Sequence, residues 1–318
     1  MTENITHSQQ KPTIKHLVIS GGGINGFSFY GALRETARQQ VWKMEDIETM
    51  HGTSIGTVLA VMLALKYEWE TLDDYLIKRP WHHVYKFDMY SIFDSFQKRG
   101  IFTKKVIEET FLPLFNGKDM SIDITMKEFY DKTGIEIHIF TTELNTFKLI
   151  DISYKTHPEW RVVDAVYCSS ALPIVMAPIL KGECWYCDGG LLCNYPILKC
   201  LENGANIEEV LGITRIPDTS RPQHLSGEST ILDFAMIVLS RILENVLATP
   251  PVLTMETEFR IPSFATSIYE IYSVCNDMQM RMNLIEKGVS HVKKQLDKAF
   301  TDLPDLEKEL EEPRAETQ

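Results

Sequence analysis

Apolar and polar positions along the chain change period several times, and each change marks an element. His16-Leu17-Val18-Ile19-Ser20 is a short apolar run halted by Gly21-Gly22-Gly23, as in a buried strand that enters a tight turn. After Gly26, Phe27, Tyr30, Leu33 and Ala37 recur at helical spacing, which predicts a helix to Gln39. Ile47 to His51 predicts a second strand, and Thr57 to Lys66 is apolar nearly all round, like a helix buried in a large core. Residues 70–130 read as short helices rich in aromatics. Ile135–Thr141, Phe147–Ile152, Glu183–Cys187 and Val210–Thr214 are strand-like, with a helix over Val162–Ser170. Strands alternating with helices predict an α/β fold around a mainly parallel sheet covered on both faces. From about residue 228 to roughly 300 the pattern is helical.

With no internal repeat or low-complexity linker between residues 15 and 300, one domain is expected. Its parts are a disordered arm at 1–14, a core at 15–215, a helical extension packed on it at 216–302 and an acidic flexible tail at 303–318. The net charge of -12 argues against a general affinity for nucleic acid, whose phosphates need clustered Lys and Arg. The polar N-terminus has no apolar signal-peptide core, and Cys168, Cys184, Cys187, Cys193, Cys200 and Cys275 do not make a disulfide scaffold in so long a chain. A cytoplasmic, reducing setting is expected. No uncharged apolar run is long enough to span a bilayer, so any lipid contact is expected to be peripheral.

Three short motifs carry candidate chemistry. Gly52-Thr53-Ser54-Ile55-Gly56 is a G-x-S-x-G between a predicted strand and helix, where the glycines permit a sharp turn that lifts a serine hydroxyl out of the backbone. By itself it is as readily a plain helix cap. Gly21-Gly22-Gly23-Ile24-Asn25-Gly26 leaves backbone amides open to a phosphate or a developing oxyanion. A dinucleotide site wants an acidic residue at the end of the second strand, but Glu45 and Asp46 precede that strand and the Ser54 turn ends it. The placement favours an oxyanion. Tyr186-Cys187-Asp188-Gly189-Gly190 ends a strand in what is, alone, an ordinary turn.

The motifs taken in order resemble the patatin-like phospholipases. The likeness extends to Val163-Asp164-Ala165-Val166-Tyr167-Cys168-Ser169-Ser170-Ala171-Leu172-Pro173-Ile174 and to the Asn194 and Pro196 that follow Asp188-Gly189-Gly190, and it covers about residues 15 to 215. It implies a three-layer α/β/α patatin-like fold with a helical C-terminal region, and a Ser–Asp dyad that hydrolyses acyl lipids without cofactor or metal. By resemblance Ser54 is the nucleophile and Asp188 the base. The amides of Gly22, Gly23 and Ile24, with Ile55 after the nucleophile, form the oxyanion hole. Gly21, Gly26, Gly52, Gly56, Gly189 and Gly190 are the motif glycines. The partners implied are a lipid acyl ester, peripheral membrane contact and an activating protein. Many members have Asp and Arg where this chain has Ser20 and Asn25, which bears on head-group preference more than on a backbone oxyanion hole. A catalytically inactive relative acting as an interaction module and a nucleotide-binding protein are the alternatives.

An exposed Asp is a weak base at neutral pH, so apolar neighbours such as Trp185, Tyr186, Leu191 and Leu192 are expected to desolvate Asp188 and raise its pKa. His224 and His291, the histidines downstream of Asp188, lie in polar stretches that fit a triad poorly; His51 reads as a packed strand-end residue. Cys184 and Cys187 have zinc-like spacing but would point to opposite faces of a strand, so free thiols are expected. The aromatics between Trp81 and Phe115 read as core first and as an acyl channel second. Ile231 to Leu247 is an apolar helix that either packs on its own domain or dips into a membrane interface.

Overall fold

The computed structural model describes residues 12–86, 97–218, 227, 230–246, 255–264 and 267–301. In chain order the elements are β1 (His16–Ile19), α1 (Gly26–Arg38), β2 (Thr49–Thr53), α2 (Ile55–Ala64), α3 (Trp69–Lys78), β3 (Gly100–Phe102), α4 (Lys105–Asn116) and α5 (Met126–Thr133). They continue with β4 (Glu136–Glu143), β5 (Lys148–Ile152), α6 (Val162–Ser170), β6 (Ile174–Met176), β7 (Ile179–Lys181), β8 (Cys184–Asp188), α7 (Ile197–Glu202) and β9 (Val210–Pro217). The C-terminal part holds α8 (Ile231–Val246), β10 (Glu258–Ser263), α9 (Ile268–Asn276) and α10 (Met278–Thr301).

An 8-stranded sheet in the order β10-β9-β1-β2-β4-β8-β7, with β5 also on β4, forms the centre. The β10, β9, β1, β2 and β4 neighbours are parallel; β8 runs antiparallel to β4 and to β7. This mostly parallel sheet with helices is the expected fold class. Side chains of period two split between its faces. Leu17, Ile19, Met50, Ile137, Ile139, Leu211 and Ile213 join the large core under the helices. Val18 and Val210 meet a smaller cluster with Ile197 and Cys200 of α7.

The smaller face is polar near its middle, which an apolar-run reading of the strands does not foresee. His16 Nδ1 pairs with Thr49 Oγ1 at 2.8 Å, and His51 stacks on His138 with ring centroids 4.3 Å apart. His138 Nδ1 in turn lies 2.8 Å from Asp151 Oδ2. Burial holds the His51 imidazole well below its ordinary pKa. It is a packed, neutral ring in the middle of β2 and not at its end.

Two departures follow at the C-terminal end. β10 interrupts the expected helical stretch and pairs parallel with β9 at the sheet edge. Its Phe259 and Ile261 are buried while Arg260 between them is exposed, a period-two signal spread over only a few residues and blurred by Pro262. The second departure is how closely α10 lies on α1. A Cβ on Gly31 would come 2.1 Å from the Ile285 carbonyl oxygen, and one on Gly288 would come 1.9 Å from that of Ser28. The two helices therefore meet backbone to backbone. Arg281, buried on α10, donates to the carbonyls of Ile77 at 2.7 Å and Val274 at 2.7 Å, and so ties α3 and α9 to that helix.

The arm expected at 1–14 lies outside the described residues except for 12–14, where Ile14 is already buried. The tail expected at 303–318 lies outside them entirely, as do Phe87, Tyr90, Phe93, Phe96 and His224.

Candidate active site

The C-terminal ends of β1 and β2 lie side by side, because Ile19 is in register with Gly52. Each strand runs straight into a glycine-rich turn, so the two turns meet at the same sheet edge. β8 ends there as well: its Asp188 pairs with Thr141 of β4, whose neighbour Phe140 is in register with Thr53. Three motifs spread along the chain from Gly21 to Gly190 are thereby brought to one place.

At the β2–α2 turn Ser54 has φ 53° and ψ -124°. Positive φ is strained for a residue with a Cβ, and it persists only where the surroundings leave no alternative. The flanking glycines supply that constraint. A Cβ on Gly56 would sit 2.2 Å from the Ile19 carbonyl oxygen, and one on Gly52 would sit 2.8 Å from backbone atoms of Gly56 and Thr57. The turn is tied from outside too. Ser54 N–H donates to Ser169 Oγ at 2.9 Å, Ser169 Oγ–H donates to the Phe140 carbonyl at 2.5 Å, and Thr57 Oγ1 donates to the Ser54 carbonyl at 2.7 Å.

Asp188 is 3% exposed and lines the same cavity as Ser54, while its Oδ1 accepts from Gly190 N–H at 2.7 Å. Burial pushes its carboxyl from an ordinary 3.8 up to about 6, against the pull of Ser54 and the Gly190 amide toward the ionised form. The expected rise is present. Trp185 does not provide it, because its ring faces the Arg99 guanidinium at 5.0 Å and, three strand positions before Asp188, it lies on the opposite face. Gly189 fits only as glycine, since a Cβ there would sit 2.1 Å from the Phe140 carbonyl oxygen.

The glycine turn lies against Ser54 and Asn194. A Cβ built on Gly21 would be 3.3 Å from Ser54 Cβ and 2.4 Å from Asn194 Oδ1. Gly21 N–H donates to the Asn194 carbonyl at 2.9 Å, and Asn194 Nδ2 donates back to the Gly21 carbonyl at 3.2 Å. Thr53 Oγ1 donates to the Cys193 carbonyl at 2.9 Å, so the loop after Asp188 is stitched to both other turns. Gly22, Gly23 and Ile24 open a short 3-10 turn, and the first amides of a helical turn have no acceptor within it. Gly23 takes φ 55° there. Ile55 begins α2 and lines the same space, with its amide likewise among the helix's unpaired first donors. Gly26 lets Ile55 approach, because a Cβ at 26 would fall 2.2 Å from Ile55 Cγ1.

Asn25 stands where the resemblance leads one to expect Arg. It is buried, and its Nδ2 donates to the carbonyls of Gly22 and Phe264, each at 2.9 Å. The residue braces the glycine turn against the end of β10 and brings no charge to the site. Asn25, Ser169 and Asn194 are the supports that sequence reasoning left without roles. Ser169 and Asn194 stood inside the family-like stretches, and nothing local to them signals a partner so distant in the chain.

A cavity of about 720 Å³ opens over Ser54 and Asp188. Val58, Leu59 and Met62 of α2 form one apolar wall, with Trp81, Tyr85 and Ile107 beyond; Met236, Leu239 and Leu243 of α8 form another. Among the expected aromatics Trp81 and Tyr85 line this space, whereas Phe102, Phe111 and Phe115 belong to the core. Glu45 and Asp46 are exposed at the opposite, N-terminal end of β2, which leaves the glycine turn without the acidic ribose partner of a dinucleotide site. His291 is half-buried on α10 and does not line the cavity.

Comparison with known proteins gives the same picture. The chain is 28% identical over 201 residues to the uncharacterized protein R571 of Acanthamoeba polyphaga mimivirus, covering 63% of this chain and 65% of that protein. It is 27% identical over 183 residues to the probable lipid hydrolase 463L of Invertebrate iridescent virus 6, covering 58% of this chain and 62% of that protein. The matched stretch thus spans under two thirds of either relative. The fold is similar to that of VipD from Legionella pneumophila, with a TM-score of 0.53 at 16% identity over 90% of this chain and 67% of that one. Residues 17–201, which take in the glycine turn, the Ser54 elbow and Asp188, match the model of one family, and the chain belongs to it: the patatin-like phospholipases.

Proposed function

We propose that the protein is a serine lipid acyl hydrolase of the phospholipase A type, with Ser54 as nucleophile and Asp188 as its base. The observation that carries this reading is the placement of Ser54 and the buried Asp188 together at one largely apolar cavity, beside the open amides of a glycine turn.

The reaction runs in two steps. Ser54 Oγ bonds to the ester carbonyl carbon as Asp188 takes the hydroxyl proton, and the carbonyl oxygen becomes an oxyanion held by amides of Gly22, Gly23, Ile24 and Ile55. The carbon–oxygen bond to the alcohol then breaks, and Asp188 passes its proton to the departing oxygen. Water attacks the acyl-enzyme, gives a proton to Asp188, and the fatty acid leaves as that proton returns to Ser54. No metal or cofactor enters these steps. A carboxyl near 6 is largely ionised at neutral pH yet is a stronger base than a solvated Asp, which is what a dyad without histidine requires.

Membrane contact accompanies a substrate of this class, and no helix among the described residues is long and apolar enough to cross a bilayer. The test is a panel of phospholipid and acylglycerol esters assayed with wild type and Ser54→Ala side by side, together with labelling by a fluorophosphonate. Hydrolysis and labelling are expected in wild type and lost in the variant. Turnover that survives Ser54→Ala, or a wild type inert to every ester and to the probe, rules the reading out and favours the inactive interaction module.

A further inference from the structure

Helix α8 is apolar on two sides. Met236, Leu239 and Leu243 face the cavity. On the other side Ile231, Phe234, Val238 and Ile242 are 82%, 53%, 39% and 51% exposed. Their spacing of three, four and four positions places them on one stripe of the helix. Water gains nothing from such a stripe, and a soluble surface helix ordinarily turns charge outward.

Exposed apolar side chains recur beside the same cavity. Leu198 and Ile216 line it and are exposed as well, and Tyr269 lies on the outer side of α9, whose Ile271, Val274 and Cys275 line it. Exposed apolar side chains therefore occur both on the outer side of α8 and among the residues that line the cavity over Ser54. Charge is sparse along the stripe, and the chain as a whole carries -12, so attraction to an anionic surface does not explain it.

We infer that the outer stripe of α8 (Ile231, Phe234, Val238 and Ile242) docks the protein on a neutral or zwitterionic lipid surface by apolar insertion, with the cavity mouth turned toward that surface. This deepens the proposed function, on which it rests for the identity of the lipid that passes from surface to cavity. A helix lying in the interface in this way buries its apolar side at the level of the acyl chains, and binding scales with apolar area and not with salt-screened charge.

The experiment is flotation of the full chain with phosphatidylcholine vesicles at low and high salt, for wild type, Phe234→Asp/Val238→Asp and Ser54→Ala. Neither Phe234 nor Val238 lines the cavity, and thermal melting checks that the double variant stays folded. Wild type and Ser54→Ala are expected to float at both salt concentrations, and the double variant to lose vesicle binding by more than about tenfold. Its hydrolysis of a short, water-soluble ester is expected to match wild type while hydrolysis of vesicle lipid falls with binding.

The inference is overturned if the double variant is folded and floats like wild type, if wild type fails to float, or if its binding collapses at high salt. It is overturned equally if wild type forms a dimer that the double variant abolishes and does not float, which makes a second copy the occupant. Flotation of Ser54→Ala with undiminished hydrolysis would sink the catalytic reading and leave the docking surface intact.

Discussion

Asp188→Asn separates the proposed chemistry from the fold, because the two respond to it in opposite directions. The substitution keeps the side-chain shape and an oxygen that accepts from Gly190 N–H, but removes the ionisable group. In wild type the folded carboxyl lies at about 6 against an ordinary 3.8. The folded state therefore holds its proton more tightly than the unfolded chain does. The stability this contributes is complete below about 3.8 and is lost as pH rises through about 6. At 1.36 kcal/mol for each tenfold change in proton affinity, the full effect is about 3 kcal/mol, of which about 2 kcal/mol falls between pH 4 and pH 8. Asn is neutral throughout, so urea unfolding should show the variant gaining on wild type by about 2 kcal/mol across that range, while every other titration cancels in the difference. Ester turnover should move the other way. Wild-type kcat/KM should fall with unit slope below pH 6, and the variant should lose roughly 10²–10⁴-fold at neutral pH. A stability difference that stays flat with pH, or wild-type activity undiminished at pH 5, refutes the assignment of a desolvated base.

Two further substitutions probe the supports. Asn25→Ala leaves the carbonyls of Gly22 and Phe264 without their donor, which should cost about 1–3 kcal/mol and lower kcat more than it changes KM; Asn25→Asp, which cannot donate, should do no better. Unchanged kcat in both variants would mean the glycine turn needs no brace from that side. Gly288→Val places a side chain where the Ser28 carbonyl already stands, so thermal melting should show a loss of about 1–3 kcal/mol or more as α10 is forced away from α1. An unaltered Tm would contradict the backbone contact between those helices.

Most of the central sheet was legible because its signals are local. β1 is a continuous apolar run that stops at glycine, β4 and β9 carry clustered Ile, Val and Leu, and α2 is too apolar for any place but the interior. The meeting of Ser54 with Asp188 was not local; it followed only from four motifs in family order, and no spacing between positions 54 and 188 would have given it. β10 escaped because its alternation is short and interrupted by a proline. The close packing of α1 on α10 escaped because a single glycine in a helical pattern reads as a small loss of helix propensity, and the carbonyl that makes it necessary is supplied by another helix. The outer stripe of α8 was visible as apolar residues, but which ones face the cavity and which face outward depends on how the helix is rotated, and the core sets that.

The arrangement at Ser54 and Asp188 places stability and chemistry in opposition at the same atoms. Burial that lifts the carboxyl to about 6 is the burial that makes its ionised form costly, and the elbow adds strain through a non-glycine residue at φ 53°. Neither would persist on a mobile loop. Here the three turns leave β1, β2 and β8 of one sheet and are bound together by Asn194 to Gly21 and Cys193 to Thr53, while Ser169 of α6 holds Ser54. With no described histidine beside the carboxylate, tuning of the proposed base falls to desolvation by its buried surroundings. The helix proposed to meet the lipid surface is also a wall of the cavity that Ser54 and Asp188 line.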